Sequence, residues 1–302
     1  EFKNISTEKS EVFTLLGNAQ DQKFLEKIFT KNHVDIIFHA AAYKHVPIVE
    51  NNPIVGISNN ILSTISVCKA AKKASVSQMV LISSDKAVRP TNIMGATKRL
   101  AEIIVQKFDE EEKILYLKNK QKIKFSIVRF GNVLDSSGSV LPLFKKQIES
   151  GGPITLTHPK VNRYFMTIPE AALLVIQTID INDGGDIFLL DMGAPVLIKD
   201  LAIKLINISG LTLKNKDNPN GDIEIKYIGL RKGEKLFEEL LIDGKSIPTN
   251  HPLIFKANDR SINLTTLWED INLLISFLQF QNEEKALETL KKLVPDWTRY
   301  IN

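Results

Sequence analysis

Ser84, Asp85 and Lys86 stand side by side directly after an apolar run, Gln78–Ser83. A hydroxyl, a carboxyl and an amine at one point can accept, donate and relay protons, the equipment of general acid–base catalysis. In isolation a solvated turn explains three such residues better. Twelve residues beyond Lys86 comes Lys98, in Met94-Gly95-Ala96-Thr97-Lys98. A helical lysine is ordinarily a wet surface charge, but this helix starts beside the same sheet edge. Gly131-Asn132, after the run Phe125–Phe130, either donates to a phosphate or makes an ordinary Gly-Asn turn. Arg163 and Arg231 lie in turn-rich segments, and arginine suits bidentate phosphate contacts, with a surface ion pair as the usual alternative. His39-Ala40-Ala41-Ala42-Tyr43-Lys44-His45 follows another apolar run, Val34–Phe38. Its three alanines would let a flat ligand approach the backbone, and tight helix–strand packing would account for them equally well. His39, His45 and His158 lack metal-ligand spacing, so no metal site is expected. Cys68 reads as a small core residue within a helix.

The elements that must hold these groups follow from periodicity. Val12–Leu16, Val34–His39, Gln78–Ser83 and Phe125–Phe130 read as buried strands. Helices are expected over about 20–31, from Pro53 to Ala74, and from Ile93 to Glu112. Proline is a good first-turn residue, as at Pro53. Apolar strands spaced by helices argue for a doubly wound α/β fold with a parallel sheet of βαβ units. In such sheets ligands bind outside the carboxyl ends of the strands, where the residues above fall. After Gly131 glycine and proline become frequent and elements shorten, which reads as a second lobe. Pro169–Ile179 and Asp186–Leu190 read as a helix and strand returning to the first. The segment 196–260 is mixed and short. Residues 265–294 form two amphipathic helices, with Leu267, Ile271, Leu274 and Phe277 at helical spacing.

The 302 residues are 43% hydrophobic and 25% charged, which excludes intrinsic disorder. A net charge of +4, spread along the chain, gives little support to a nucleic-acid partner. One cysteine excludes a disulfide framework and a cysteine-built zinc site, and fits a reducing compartment. No apolar run approaches the roughly 18–20 residues that cross a bilayer. The sequence opens on Glu1 rather than Met, within a charged, strand-poor stretch, and reads as part of a longer protein.

Taken together, these segments resemble the extended short-chain dehydrogenase/reductase superfamily. More closely they resemble the nucleotide-sugar 4,6-dehydratases that act on UDP-N-acetylglucosamine in bacterial surface-glycan synthesis, in particular their long, membrane-anchored branch. The strings that carry the resemblance are HAAAYKHVP from His39, SSDKAVRPTN from Ser83, MGATK from Met94, VRFGNV from Val128, RYFMT from Arg163 and LRKGEK from Leu230. They run in family order over residues 1 to about 245. Three features depart from the pattern. The first strand and its glycine-rich pyrophosphate turn are missing, since no glycine precedes Gly17. Gly17-Asn18 stands where the family has Gly-Asp, and Met94 where the superfamily has its tyrosine.

The resemblance implies a Rossmann-like sheet over residues 1–135 and about 169–192 as a partial NAD-binding domain. It implies a smaller mixed α/β substrate-binding lobe, with C-terminal helices, over 136–168 and 193–302. The implied reaction is an internal redox cycle in which hydride leaves sugar C4, water is lost across C5 and C6, and hydride returns to C6. The implied product is UDP-2-acetamido-2,6-dideoxy-4-hexulose. Lys86 would be the base at C5, its pKa pulled down near a cationic nicotinamide, and Asp85 the acid at the departing C6 oxygen. Ser84 would hydrogen-bond the C4 oxygen. Lys98 would hold the nicotinamide ribose, and Asn18, Ala40, Ala41, Tyr43, Asn60 and Ser83 would line the NAD path. Lys44, Asn132, Arg163 and Arg231 would meet the substrate, the last three at its diphosphate, and Glu234 the uridine ribose. A homo-oligomer on the cytoplasmic side is implied, attached to the inner membrane only through a preceding region. A 4-epimerase and a non-catalytic nucleotide-sugar-binding module are the competing readings.

Overall fold

A computed structural model describes residues 11–119, 123–239, 246–258 and 265–298. The expected strand-poor opening at Glu1 lies outside them. The chain begins with α1 (Gln22–Lys31), β1 (Ile36–His39), α2 (Val46–Asn51), α3 (Pro53–Lys73), β2 (Gln78–Ile82), α4 (Ile93–Asn119) and β3 (Lys124–Arg129). It continues through β4 (Asn132–Val133), α5 (Val140–Glu149), β5 (Ile154–Leu156), β6 (Asn162–Arg163), β7 (Phe165–Met166), α6 (Ile168–Gln177) and β8 (Ile187–Leu190). The last elements are β9 (Val196–Leu197), α7 (Ile198–Ile208), β10 (Leu213–Lys214), β11 (Ile223–Tyr227), β12 (Ser246–Pro248), β13 (Ile254–Ala257), α8 (Leu267–Gln279) and α9 (Glu283–Leu293).

The main sheet has the order β1-β2-β3-β8-β13-β12. Its first four strands are parallel, with Ile37 opposite Met79, Leu81 opposite Ile127 and Val128 opposite Phe188. Period-2 alternation divides their side chains between two layers. Met79, Leu81, Phe125 and Ile127 point to one face and are covered by α3 and α4. Val80, Val128, Phe188 and Leu190 point to the other and are covered by α6. Burial on both faces is why β2, β3 and β8 read as near-continuous apolar runs, and the arrangement is the doubly wound α/β fold expected. The second lobe is a small parallel sheet, β10-β11-β5, packed with α5 and α7 around Phe144, Ile154, Ala202, Ile206 and Ile223.

Three expectations are corrected. Val12–Leu16 is not a strand, and Phe13, Leu15 and Leu16 are exposed. No described strand lies beside the segment, and a strand without a partner leaves its backbone groups unpaired. Residues 246–258 and 265–298 do not belong to the second lobe. β13 pairs antiparallel with β8 and β12 with β13. Helices α8 and α9 bury Leu267, Ile271, Leu274, Leu290 and Leu293 in the core that α3 and α4 share. This placement rests on long-range packing that local periodicity does not encode. Third, α3 is 21 residues long with a mean hydropathy of 1.2 in its most apolar window, enough by length and composition to cross a bilayer. Its serines, threonines and asparagines interrupt any apolar run, and two thirds of that window is buried inside the protein, so it is here a core helix.

Candidate active site

The loops at the carboxyl ends of β1, β2 and β3 converge on one cleft. Immediately after β2, Ser83 N–H donates to the Val128 carbonyl at 2.8 Å and Asp85 N–H to the Phe130 carbonyl at 3.2 Å, fixing this turn to the neighbouring strand. Asp85–Ala87 is a single 3-10 turn capped by Ser84, whose Oγ accepts from Lys86 N–H at 3.1 Å. Helix α4 comes down against this turn through Gly95, where any Cβ would meet the Lys86 carbonyl oxygen. Lys86 thereby reaches the walls of two adjoining cavities of about 430 and 500 Å³.

The Lys86 ammonium donates to Asp85 Oδ1 at 3.0 Å and to Asn132 Oδ1 at 3.2 Å. Ser84 Oγ also donates to Asp85 Oδ1, at 2.8 Å. Asp85 is fully buried behind Lys86, and its Oδ2 has no hydrogen-bond partner. Burial by itself would lower the Lys86 pKa, but the Asp85 and Glu238 carboxylates outweigh both burial and the opposing Arg163 charge. They hold the amine above the ordinary lysine range. The lowering expected of Lys86 is assigned to a cationic nicotinamide beside it, whereas the direction here is set by the protein's own Asp85 and Glu238.

A buried ionic layer lies under the turn. Ser83 Oγ donates to Glu102 Oε1 at 2.6 Å, and the fully buried Arg129 donates to both oxygens of Glu102 at 2.8 and 2.7 Å. Arg99 adds a third cationic contact at 3.0 Å. Burial would raise the Glu102 pKa, but Arg129, Arg99 and Ser83 overcome it and bring it down to about 2. Lys98 donates to the Ile82 carbonyl at 2.6 Å and lines the larger cavity. Burial pulls its amine down to about 8 against the opposing field of Glu102. His39, at the end of β1, is brought to about 4 by burial and by Lys98, and so stays neutral.

The remaining expected residues divide between wall and scaffold. Ala40, Lys44, Ser83, Ser84 and Asn132 line the larger cavity, as does the buried Met94. Ala41 and Tyr43 are exposed beside it. Asn60 is behind the wall. Its Oδ1 accepts from Tyr43 N–H at 2.7 Å and its amide donates to the Tyr43 carbonyl at 3.1 Å, so it clamps the alanine loop. Asn18 caps the turn into α1 by accepting from Gln20 N–H at 2.9 Å, and does not line either cavity. Arg163, Arg231 and Glu234 line both cavities. Arg163 spends its guanidinium on the segment opposite, donating to the carbonyls of Lys235 at 2.8 Å and Leu236 at 3.3 Å. Glu234 accepts from Thr157 Oγ1 at 3.0 Å and from Arg231 N–H at 3.1 Å. That segment is tied down again at Gly233, whose carbonyl accepts from Thr91 and Asn92 and whose φ of +72° suits glycine. Arg231 is the exposed guanidinium of the group.

Glu102 and Glu238 were not singled out in the sequence. Glu102 carried a usable signal: it follows Lys98 by four residues, which sets both on one helix face. Glu238 carried none, since its burial is decided by the packing of residues 231–238 over the turn.

A family model described as "Polysaccharide biosynthesis protein" matches residues 1–259. The capsular polysaccharide biosynthesis protein CapD of Staphylococcus aureus is 49% identical over 231 residues, which are 76% of this chain and 36% of that protein. The chain thus spans about a third of CapD's length. Pen from Bacillus thuringiensis has a similar structure, with a TM-score of 0.70 at 33% identity over 83% of this chain and 72% of that one. DesIV from Streptomyces venezuelae, a dTDP-glucose 4,6-dehydratase solved with NAD bound, reaches a TM-score of 0.61 at 18% identity over 74% of this chain and 69% of its own. It shares the fold.

Proposed function

Since the chain belongs to the polysaccharide biosynthesis protein family, we propose that it forms the catalytic part of a nucleotide-sugar 4,6-dehydratase converting UDP-N-acetylglucosamine to UDP-2-acetamido-2,6-dideoxy-4-hexulose. The observation that carries this reading is the Lys86 amine on the wall of both cavities, hydrogen-bonded at 3.0 Å to a buried carboxylate. An elimination across C5 and C6 needs one proton taken from carbon and one given to oxygen. With its proton passed to Asp85, the Lys86 amine can take the C5 proton and give it to the departing C6 oxygen, after which Asp85 returns the first proton, so the cycle needs no proton from outside. A C4 ketone makes the C5 hydrogen acidic enough for such a pair. Overall the sugar loses one water and no net oxidant is consumed.

When bound, NAD would supply the hydride chemistry at C4 and C6. The lining of the larger cavity fits it: Ala40 and Ala42 are small, and Lys98 in the same lining would hold the nicotinamide ribose. Met94 holds no exchangeable proton, so Ser84, hydrogen-bonded to Asp85, is the group through which the C4 hydroxyl proton would leave. Arg231 would take the diphosphate, with Arg163 and Glu234 holding its loop in place.

Incubation of the full-length protein with UDP-N-acetylglucosamine and NAD should yield a product lighter by one water in mass spectrometry. A product of unchanged mass would indicate epimerisation and would refute the proposal. Arg231→Ala should raise KM by roughly tenfold or more while kcat changes little, since a diphosphate contact remote from C5 serves ground and transition states alike. Steady-state kinetics over a range of UDP-sugar concentrations would check this.

A further inference from the structure

Glu238 lies in the segment packed over the turn that carries Asp85 and Lys86, where Lys235 donates to the Val88 carbonyl at 2.7 Å. It is 8% exposed, too buried for an incidental surface acid. Its Oε1 stands 3.7 Å from the Lys86 ammonium and 3.6 Å from Arg163 Nε. Its Oε2 is buried and has no hydrogen-bond partner among the described residues. A buried carboxylate with an unsatisfied oxygen costs stability unless the charge itself is used.

We propose that Glu238 is a positioning residue for the reaction: together with Asp85 it holds the Lys86 amine, governs how readily that amine releases its proton, and couples it electrostatically to Arg163. This rests on the dehydratase reading for its purpose, but not for its geometry. The groups facing Lys86 are few. Asp85 comes from its own turn, Asn132 from β4, Arg163 from β6, and Lys235 and Glu238 from the covering segment. Of these, Asp85 and Glu238 are the acids. With both in place the amine is held as an ammonium and cannot drift to neutrality before a substrate arrives. Removal of either negative charge makes the proton easier to lose.

Competitive labelling of Lys86 with fluorodinitrobenzene tests this. The full-length protein is labelled across a pH series without nucleotide sugar and the Lys86 peptide is followed by mass spectrometry. Glu238→Gln should lower the labelling midpoint by at least about one pH unit, the usual effect of losing an opposite charge within ~4–6 Å. Glu238→Asp, which keeps the charge but withdraws it by one methylene, should lower the midpoint by less. A midpoint unmoved in Glu238→Gln overturns the proposal. If that variant does not fold, an unmoved midpoint in Glu238→Asp overturns it equally. A purely structural glutamate would change yield or stability without moving the Lys86 midpoint. The labelling needs no turnover, so failure of the water-loss assay would leave this result standing, and the reverse holds as well.

Discussion

Lys86→Ala should reduce dehydration of UDP-N-acetylglucosamine by roughly a hundred- to ten-thousand-fold, the range expected when a positioned acid–base group is removed. The expected size follows from location. Lys86 is on the wall of both cavities, while Asp85 is buried behind it. Without the amine, neither a proton for C6 nor an acceptor for C5 remains at the surface that faces a sugar. Nucleotide-sugar affinity should persist, because Arg231 is untouched. Turnover by mass spectrometry and binding by calorimetry, on the same full-length preparation, would separate the two effects. Near wild-type turnover would remove Lys86 from the mechanism, whereas lost binding would turn it into a substrate anchor.

The second large effect is on stability. Glu102→Leu should cost roughly 3–5 kcal/mol, the usual result of stranding a buried charge. Arg129 is fully buried and uses both Glu102 oxygens. Its guanidinium would be left without its main counter-charge, and Ser83 would lose its acceptor. Replacing Glu102 and Arg129 together by apolar side chains of similar size should recover most of the loss. Urea unfolding of the wild type and these two variants would show it. Equal destabilisation in single and double variants would contradict this account.

The same group sets an acid limit. Its folded pKa of about 2 lies below the ordinary 4.5, so the stabilisation is present above pH 4.5. It is lost as pH falls toward 2. The gap corresponds to about 3 kcal/mol. The wild type should therefore weaken over that window more steeply than the Glu102→Leu variant does.

Much of this architecture could be read before any coordinates. Ile187–Leu190, buried throughout, announces a central parallel strand, and Pro53 opens its helix as its rigid φ favours. The Asp85–Lys86 adjacency needed no tertiary information. What escaped was decided by partners distant in sequence. Val12–Leu16 has strand-like composition but no neighbour among the described residues to pair with. Residues 246–258 and 265–298 join the first lobe because β8 offers an edge and α3 and α4 an apolar face. The ionisation of Lys86 is set by Asp85 beside it and, more weakly, by Glu238, an ordinary-looking acid until residues 231–238 fold over the turn.

The two borders of the main sheet are finished differently. At one, the short β12 ends in Pro248, which has no N–H to offer an incoming chain. At the other, β1 is flanked by no described strand, and its Ile36 and Phe38 are 39% and 41% exposed. An edge strand with apolar side chains is a template on which a further strand can pair, so among the described residues the β1 border is the one at which this sheet can be extended.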